Sequence, residues 1–189
     1  MKEKAFTFST FSEHCSNGVS QALERLNNFN LPPVFICIGS DLVLGDSLGP
    51  LIGTLLKNKN VPCYVYGTLN FPITAKDIEC AKQYIRQTHP SSILVAIDAA
   101  IGEEDDVGLI RVINSGLMPG LGVNKNLGQI GDVSIIGVVA GKSVKNKELF
   151  NLTRLNLVYN MAENIANGIA EYTNFKKYST SINQTTFGA

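Results

Sequence analysis

Two aspartates, Asp46 and Asp98, have the residue type and the sequence setting of a catalytic pair. Asp46 lies in "GSDLVLGDSLGP" after an apolar segment at 34–38, and Asp98 ends the apolar segment "SILVAID". Where such strands are neighbours in a parallel sheet, their carboxyl ends border one ligand crevice. Two carboxylates brought close together do not both ionise easily, so one pKa rises and the pair can act as acid and base towards a bound water. The sequence therefore predicts an aspartate dyad.

Structural roles compete with this interpretation. Asp46 could be the N-cap of the helix that follows it, which would stabilise the protein by about 1 kcal/mol. Asp98 could bind backbone amides in a turn, although an acid that ends a fully apolar strand has no helix to cap immediately. Two further acids are assigned local roles, Asp41 in the turn and Asp132 at the start of its strand.

A divalent metal is an alternative use for the two carboxylates, since they could bind one together with a third ligand. The chain offers only His14 and His89, and His89 precedes the strand that ends at Asp98, so it is expected at the opposite edge of the sheet. No cofactor is therefore predicted. The glycines of "GSDLVLGDSLG" are spaced G-x5-G-x3-G, which fits neither a dinucleotide fingerprint nor a P-loop.

Apolar strands and amphipathic helices alternate around these aspartates, which predicts a parallel sheet covered on both faces. We expect one α/β domain over residues 1–189, a three-layer α/β/α sandwich with a mainly parallel sheet. A helix is predicted to begin at or just after Asp46, because Pro50 is tolerated only in a first turn. Further predicted segments are a helix at about 12–26, strands at 34–38, 62–67, 92–98, 107–115 and 132–141, helices at 74–89 and 146–172, and a polar, mobile tail at about 173–189.

The charge and hydrophobicity of the chain argue against nucleic-acid-binding and membrane proteins. Sixteen basic residues balance sixteen acidic ones in 189 residues, so no long-range field favours nucleic acid or an anionic membrane. No apolar run approaches the length of a membrane-spanning helix, and the N-terminal segment lacks the apolar core of a secretory signal. We expect a cytoplasmic protein without nucleic-acid or membrane partners. The oligomeric state stays open, a homo-oligomer included.

Four ordered motifs carry a resemblance to a family. "CIGSDLVLGDSLGPLIGTLL", "VYGTLNFPITAKDI", "VAIDAAIG" and "LMPGLGVNKNLGQIGDVSIIGVV" resemble the YyaC-type sporulation proteins of endospore-forming bacteria over residues 34–140. A more distant resemblance extends to the germination endopeptidase, a spore protease that degrades small acid-soluble spore proteins, and to hydrogenase maturation proteases. It implies a phosphorylase/hydrolase-like α/β fold of the hydrogenase maturation protease type.

The resemblance also implies roles for individual residues. Asp46 in "GDSLGP" and Asp98 in "AIDAA" match the catalytic pair of the germination endopeptidase, and "PGLGV" at 119–123 is similar to a loop of its cleft. Backbone amides of the two glycine segments would donate hydrogen bonds to the developing oxyanion. Lys125 could supplement them or be a solvated surface lysine. The predicted substrate-binding residues are Gly39, Ser40, Gly120, Gly122, Asn124 and Lys125.

The predicted function is that of a sporulation-associated peptidase in the sporulating cell or forespore. It would hydrolyse peptide bonds in spore proteins or peptides, with Asp46 and Asp98 activating a water. No His follows Asp98, so the metal-dependent activity of the maturation proteases is not predicted. The alternative is a non-catalytic sporulation protein with a protease-like fold that binds a partner protein or peptide. Whether the chain is an active enzyme is left open by its sequence.

Overall fold

The computed structural model describes residues 4–27, 31–117, 129–142 and 153–185, with side chains described up to residue 174. In these ranges, six strands form one sheet and four helices accompany it. Two 3₁₀ turns lie at Gly45–Ser47 and Glu104–Asp106. The elements are β1 (Ala5–Ser9), α1 (Cys15–Leu26), β2 (Pro33–Cys37), α2 (Leu48–Asn58), β3 (Tyr64–Tyr66), α3 (Ile78–Thr88), β4 (Ile93–Gly102), β5 (Leu109–Ile113), β6 (Val133–Gly141) and α4 (Leu155–Thr185).

The sheet is mixed and has the strand order β1-β5-β6-β4-β2-β3. Strands β3, β2, β4 and β6 run parallel, while β5 is antiparallel to both β6 and β1. In register, Phe35 lies opposite Val65 on one side and Val95 on the other. The carboxyl ends of four adjacent strands therefore share one edge of the sheet, which confirms the predicted mainly parallel α/β arrangement.

The two faces of the sheet bury different helices. Phe35 and Ile97 pack in the larger core with α1, α2 and α4. Ile36 and Ala96, which alternate with them along the strands, pack in the smaller core with Ile85 of α3. Burial on both faces explains why β2 and the first half of β4 are apolar at every position. Among the described residues, no helix is long and apolar enough to cross a membrane.

Strand β1 was not predicted from the sequence. Its segment "AFTFS" is short, and it lies at an edge of the sheet, where Phe6 and Phe8 pack against the larger core. Pairing with β5, which is distant in sequence, supplies its hydrogen bonds. Helix α1 then begins at Cys15, a few residues after its predicted start.

The predicted ends of β4 and α4 were wrong, as was the predicted start of α3, which begins at Ile78 and not at 74. Strand β4 does not end at Asp98 but continues to Gly102, because β6 continues beside it to Gly141 and pairs with it there. Helix α4 does not end at Tyr172 but continues to Thr185. Its polar continuation holds no Pro or Gly before Gly188, so nothing in the backbone stops the addition of further helical hydrogen bonds. The predicted start of that helix at 146 lies outside the described residues.

Helix α2 lies unusually close to the ends of β2 and β3. A Cβ atom at Gly53 would overlap the carbonyl oxygen of Gly67, and one at Gly49 would overlap the carbonyl oxygen of Ile38. Gly67 itself has φ +85° and lies against the carbonyl oxygen of Cys37. Only glycine at these positions allows the helix backbone to reach the strand backbones.

Replacing Gly53 by alanine tests this contact. An exposed helical Gly→Ala change normally stabilises a protein, but here the added methyl meets backbone that cannot move away. We expect Gly53→Ala to lower the free energy of unfolding by about 2–3 kcal/mol, measured by urea denaturation. The matched control is Lys57→Ala, an exposed position on the same helix, with an expected change within about 0.5 kcal/mol. A Gly53→Ala protein as stable as wild type would contradict the close contact.

Candidate active site

Asp46 is held at the carboxyl end of β2 by a closed turn. The chain leaves β2 through Gly39, whose φ of +142° belongs to a region that favours glycine. A Cβ atom at Gly39 would overlap the carbonyl oxygen of Asp46. The Ser40 N–H donates a hydrogen bond of 3.1 Å to that same oxygen. The turn therefore brings Asp46 back over the end of the strand that precedes it.

Asp46 is not a helix cap. It lies inside the 3₁₀ turn at Gly45–Ser47, and Ser47 stands at the N-cap of α2, which has no side-chain capping hydrogen bond. The Ser47 hydroxyl instead donates to the carbonyl oxygen of Leu44 at 2.6 Å. The helix start just after Asp46 is thus confirmed, whereas the capping alternative is wrong, and the Asp46 carboxylate is left for another role.

Asp98 lies in β4 just past the point where β2 ends. Cys37 pairs with Ile97, and the Ile38 N–H donates to the Ile97 carbonyl oxygen at 2.8 Å. Beyond this bond β4 loses its neighbour on the β2 side, and the 3₁₀ turn that carries Asp46 packs against β4. The two aspartates, far apart in sequence, are therefore brought together at the carboxyl edge of the sheet.

Burial raises the pKa of both carboxyl groups, and repulsion from Asp46 raises that of Asp98 further. Burial raises the pKa of Asp98 to about 8, and the charge of Asp46 contributes to that rise. The Ala99 N–H donates to Asp98 Oδ1 at 2.9 Å, and this hydrogen bond opposes the rise in pKa. Burial also raises the pKa of Asp46, against a hydrogen bond from the Ser40 backbone. At neutral pH the pair therefore holds a proton, which resides mainly on Asp98.

The predicted amide donors of the first glycine segment have partners inside the chain. The Gly39 N–H donates to the Ile73 carbonyl oxygen at 2.9 Å, and the Ser40 N–H donates to Asp46. Both amides therefore hold the turn together, which argues against an oxyanion role for them. The other predicted substrate-binding residues, Gly120, Gly122, Asn124 and Lys125, lie outside the described residues.

The other two acids differ in their surroundings. Asp132 accepts the Leu94 N–H at 2.8 Å and forms an ion pair with Arg86 at 2.7 Å, so it joins the start of β6 to β4 and α3. Asp41 is exposed, and it is the Ser40 hydroxyl oxygen that accepts the Leu42 N–H in this turn at 3.2 Å. Neither acid belongs to the pair.

The described residues contain no group of three or more His, Cys, Asp or Glu side chains arranged to hold a metal ion. Asp46 and Asp98 would supply two carboxylate ligands, and a complete site would need donors from elsewhere.

Sequence reasoning missed the residues that position the pair. Thr54 of α2 donates to the Pro50 carbonyl oxygen and accepts the Leu69 N–H, each at 2.9 Å, which ties the helix to the loop after β3. The spacing of Gly49 and Gly53, one helical turn apart, was the available signal for the close approach of α2. The role of these glycines is evident only from the structure, in which the backbone of β2 and β3 lies beside them.

The family of unknown function DUF1256 matches residues 7–168. The chain belongs to this family. A relative is the uncharacterized protein YyaC of Bacillus subtilis (strain 168), which is 39% identical over 140 residues, or 74% of this chain and 68% of that protein. This confirms the predicted YyaC-type membership.

A solved structure confirms the predicted fold class. The chain resembles the [NiFe] hydrogenase maturation protease HycI from Thermococcus kodakarensis KOD1 with a TM-score of 0.54 and 18% sequence identity. The match covers 80% of this chain and 98% of that one. At this identity the likeness concerns the fold alone.

The coupling of the two aspartates can be measured directly. We expect the Asp98 carboxyl carbon to titrate with an apparent pKa of about 8 in carbon-13 NMR. Asp46→Asn should lower that pKa because a repelling charge is removed, yet leave it above the ordinary value because burial is the larger cause. Asp41→Asn, which removes an exposed carboxylate of the same turn, is the control and should leave the Asp98 pKa unchanged. An Asp98 pKa that does not respond to Asp46→Asn would contradict the coupling.

The raised pKa of Asp98 also predicts how stability depends on pH. The folded protein holds this proton more tightly than the unfolded chain, so folding stability falls as pH rises from about 4 to about 8. In this range each pH unit lowers the free energy of unfolding by at most about 1.4 kcal/mol. Asp98→Asn mimics the protonated form and should be more stable than wild type at pH 8.5, with the difference vanishing near pH 4. Thermal melts at the two pH values measure this, and a variant less stable than wild type at pH 8.5 would contradict it.

Proposed function

We propose that this protein is a peptidase in which Asp46 and Asp98 together activate a water molecule. The observation that carries the proposal is the pair itself: two partly buried carboxyl groups of raised pKa where the parallel strands of the sheet end, with Asp46 raising the pKa of Asp98. Strongly shifted carboxyl pKa values in a crevice are typical of acid–base catalysis. The edge of the sheet is also where α/β folds place their ligands.

In the first step the carboxyl groups of Asp46 and Asp98 have different roles. With the shared proton on Asp98, Asp46 is the carboxylate that accepts a proton from the attacking water. Asp98 donates its proton to the oxygen of the peptide carbonyl as the water oxygen bonds to the carbon. Charge on that oxygen is thereby neutralised by Asp98, so the amides of Gly39 and Ser40, which are engaged elsewhere, are not required.

The second step restores the starting state. One hydroxyl of the tetrahedral intermediate returns a proton to Asp98 as the carbonyl re-forms and the C–N bond breaks. Asp46 passes the proton taken from water to the leaving nitrogen. The products are a carboxylic acid and an amine, and the pair again carries one proton, on Asp98. Each group alternates between acid and base, as partners of unequal pKa can.

The comparisons support the proposal only at the level of a protease-like fold. The protein whose fold is shared is named a maturation protease, and the relative YyaC comes from Bacillus subtilis (strain 168). From the sequence motifs we further propose spore proteins or peptides as substrates. A divalent metal bound by the same two carboxylates is the competing way to activate water, and sensitivity to a chelator separates the two mechanisms.

A cleavage assay tests the proposal. The purified chain is incubated with small acid-soluble spore proteins and with spore-extract proteins, and the products are identified by mass spectrometry. We expect cleavage by wild type, a loss of at least about 100-fold in Asp46→Asn and in Asp98→Asn, and full activity in Asp41→Asn. The value of kcat/KM should fall as pH rises through about 8, because Asp98 then loses its proton. EDTA should have no effect.

The outcomes separate the rival interpretations. Unchanged cleavage in both folded Asn variants would exclude the pair as the catalytic centre. Activity abolished by EDTA and restored by a divalent metal would replace the acid–base mechanism with a metal-dependent one. Absence of cleavage by wild type in every substrate would favour the non-catalytic alternative, a protein that binds a partner peptide.

A further inference from the structure

Two large apolar side chains are almost fully exposed at the edge of the sheet that carries the aspartate pair. Leu42 is 88% exposed and Phe71 is 81% exposed, the highest values among the large apolar residues described. Leu42 lies in the loop after β2, and Phe71 lies in the loop after β3. Single exposed apolar residues are ordinary on protein surfaces. Leu42 and Phe71, however, lie on adjacent loops that border a candidate active site, which indicates a ligand-binding role.

Hydrogen bonds anchor the loop after β3 to the turn that holds Asp46. The Gly39 N–H donates to the carbonyl oxygen of Ile73, and Ile38 forms a parallel bridge with Ile73. Phe71 is two residues from this anchor. The Phe71 N–H donates to the Thr68 carbonyl oxygen at 3.2 Å, and the Thr68 N–H donates to the Phe71 carbonyl oxygen at 3.1 Å. Phe71 is therefore presented by a closed turn that is joined to Gly39.

Leu42 is held in the same hydrogen-bonded unit. Its N–H donates to the hydroxyl oxygen of Ser40, and the Ser40 N–H donates to the carbonyl oxygen of Asp46. One continuous set of bonds thus connects Leu42, Phe71 and the backbone of Asp46. A ligand that packs on these two side chains would be positioned relative to the carboxyl pair without rearrangement of either loop.

We infer that Leu42 and Phe71 form a specificity surface that binds a bulky apolar side chain of a polypeptide next to the bond at the aspartate pair. This inference rests on the proposed function, because it names the substrate class that the same site would select. Apolar side chains gain most from covering Leu42 and Phe71. The Asp46 carboxylate, which belongs to the same hydrogen-bonded unit, disfavours an acidic side chain at the same place.

Phe11 provides a matched control on the same protein. It is 70% exposed and follows β1, at the opposite end of the sheet order from β3. Three strands, β5, β6 and β4, separate β1 from β2. Replacing Phe11 by serine removes exposed apolar surface of the same kind from a loop after β1, which two strands, β5 and β6, separate from the strand of Asp98.

Peptide binding tests the inference without requiring turnover. Fluorescein-labelled ten-residue peptides of Gly, Ala and Ser carry either one central Phe or one central Ser, and fluorescence anisotropy reports their binding to the full chain. We expect the Phe peptide to bind about tenfold more tightly than the Ser peptide. The double variant Leu42→Ser/Phe71→Ser should lose this preference, and Phe11→Ser should keep it. Equal binding of both peptides to wild type, or a preference retained in the double variant, would overturn the inference.

Kinetics on any substrate cleaved by wild type provide the second readout. The double variant should raise KM about tenfold while kcat changes by no more than about twofold, since the carboxyl pair is untouched. Unchanged KM with active cleavage would overturn the specificity surface and leave the peptidase proposal intact. The reverse outcome is a Phe preference that wild type shows and the double variant loses, in a protein that cleaves nothing. That result would support the surface and refute the peptidase.

Discussion

The backbone contact between α2 and the carboxyl ends of β2 and β3 is the constraint on which the candidate site depends. Gly49, Gly53 and Gly67 remove the Cβ atoms that would separate the helix from the strands. The helix start is thereby held against the strand ends, and the 3₁₀ turn before it places Asp46 over β4. Thr54 adds a side-chain bond from the same helix to the next loop. The position of Asp46 is thus a product of helix–sheet packing.

Partial burial raises the pKa values of the two carboxyl groups. Asp98 lies in a strand that is otherwise apolar, and desolvation there favours its neutral form. The proximity of Asp46 adds repulsion, so a single proton is retained at a pH where isolated aspartates would both be charged. This arrangement lowers stability as pH rises from about 4 to about 8, a cost that proteins commonly accept at functional sites.

The success of sequence reasoning differed between elements for physical reasons. The central strands were predictable because burial on both faces requires an apolar residue at every position. Edge strand β1 was not predictable, because its pairing with β5 depends on residues distant in the chain. The end of β4 was misplaced because an acid was taken as the end of an apolar strand, whereas hydrogen bonds with β6 carry it on to Gly102. The end of α4 was misjudged because polar composition was read as the end of the helix, although residues 173–185 contain no Pro or Gly to break it.

The sequence by itself determined the α/β class, the order of the central elements and the identity of the two aspartates, since these follow from local patterns and motifs. Tertiary structure decided what the aspartates can do. It removed Asp46 from a capping role, engaged the amides of Gly39 and Ser40 within the turn, and coupled Asp46 to Asp98. It also joined Leu42 and Phe71 to the same turn. Hydrogen-bond partners and desolvation depend on contacts between segments that are far apart in the chain, and no local pattern contains them.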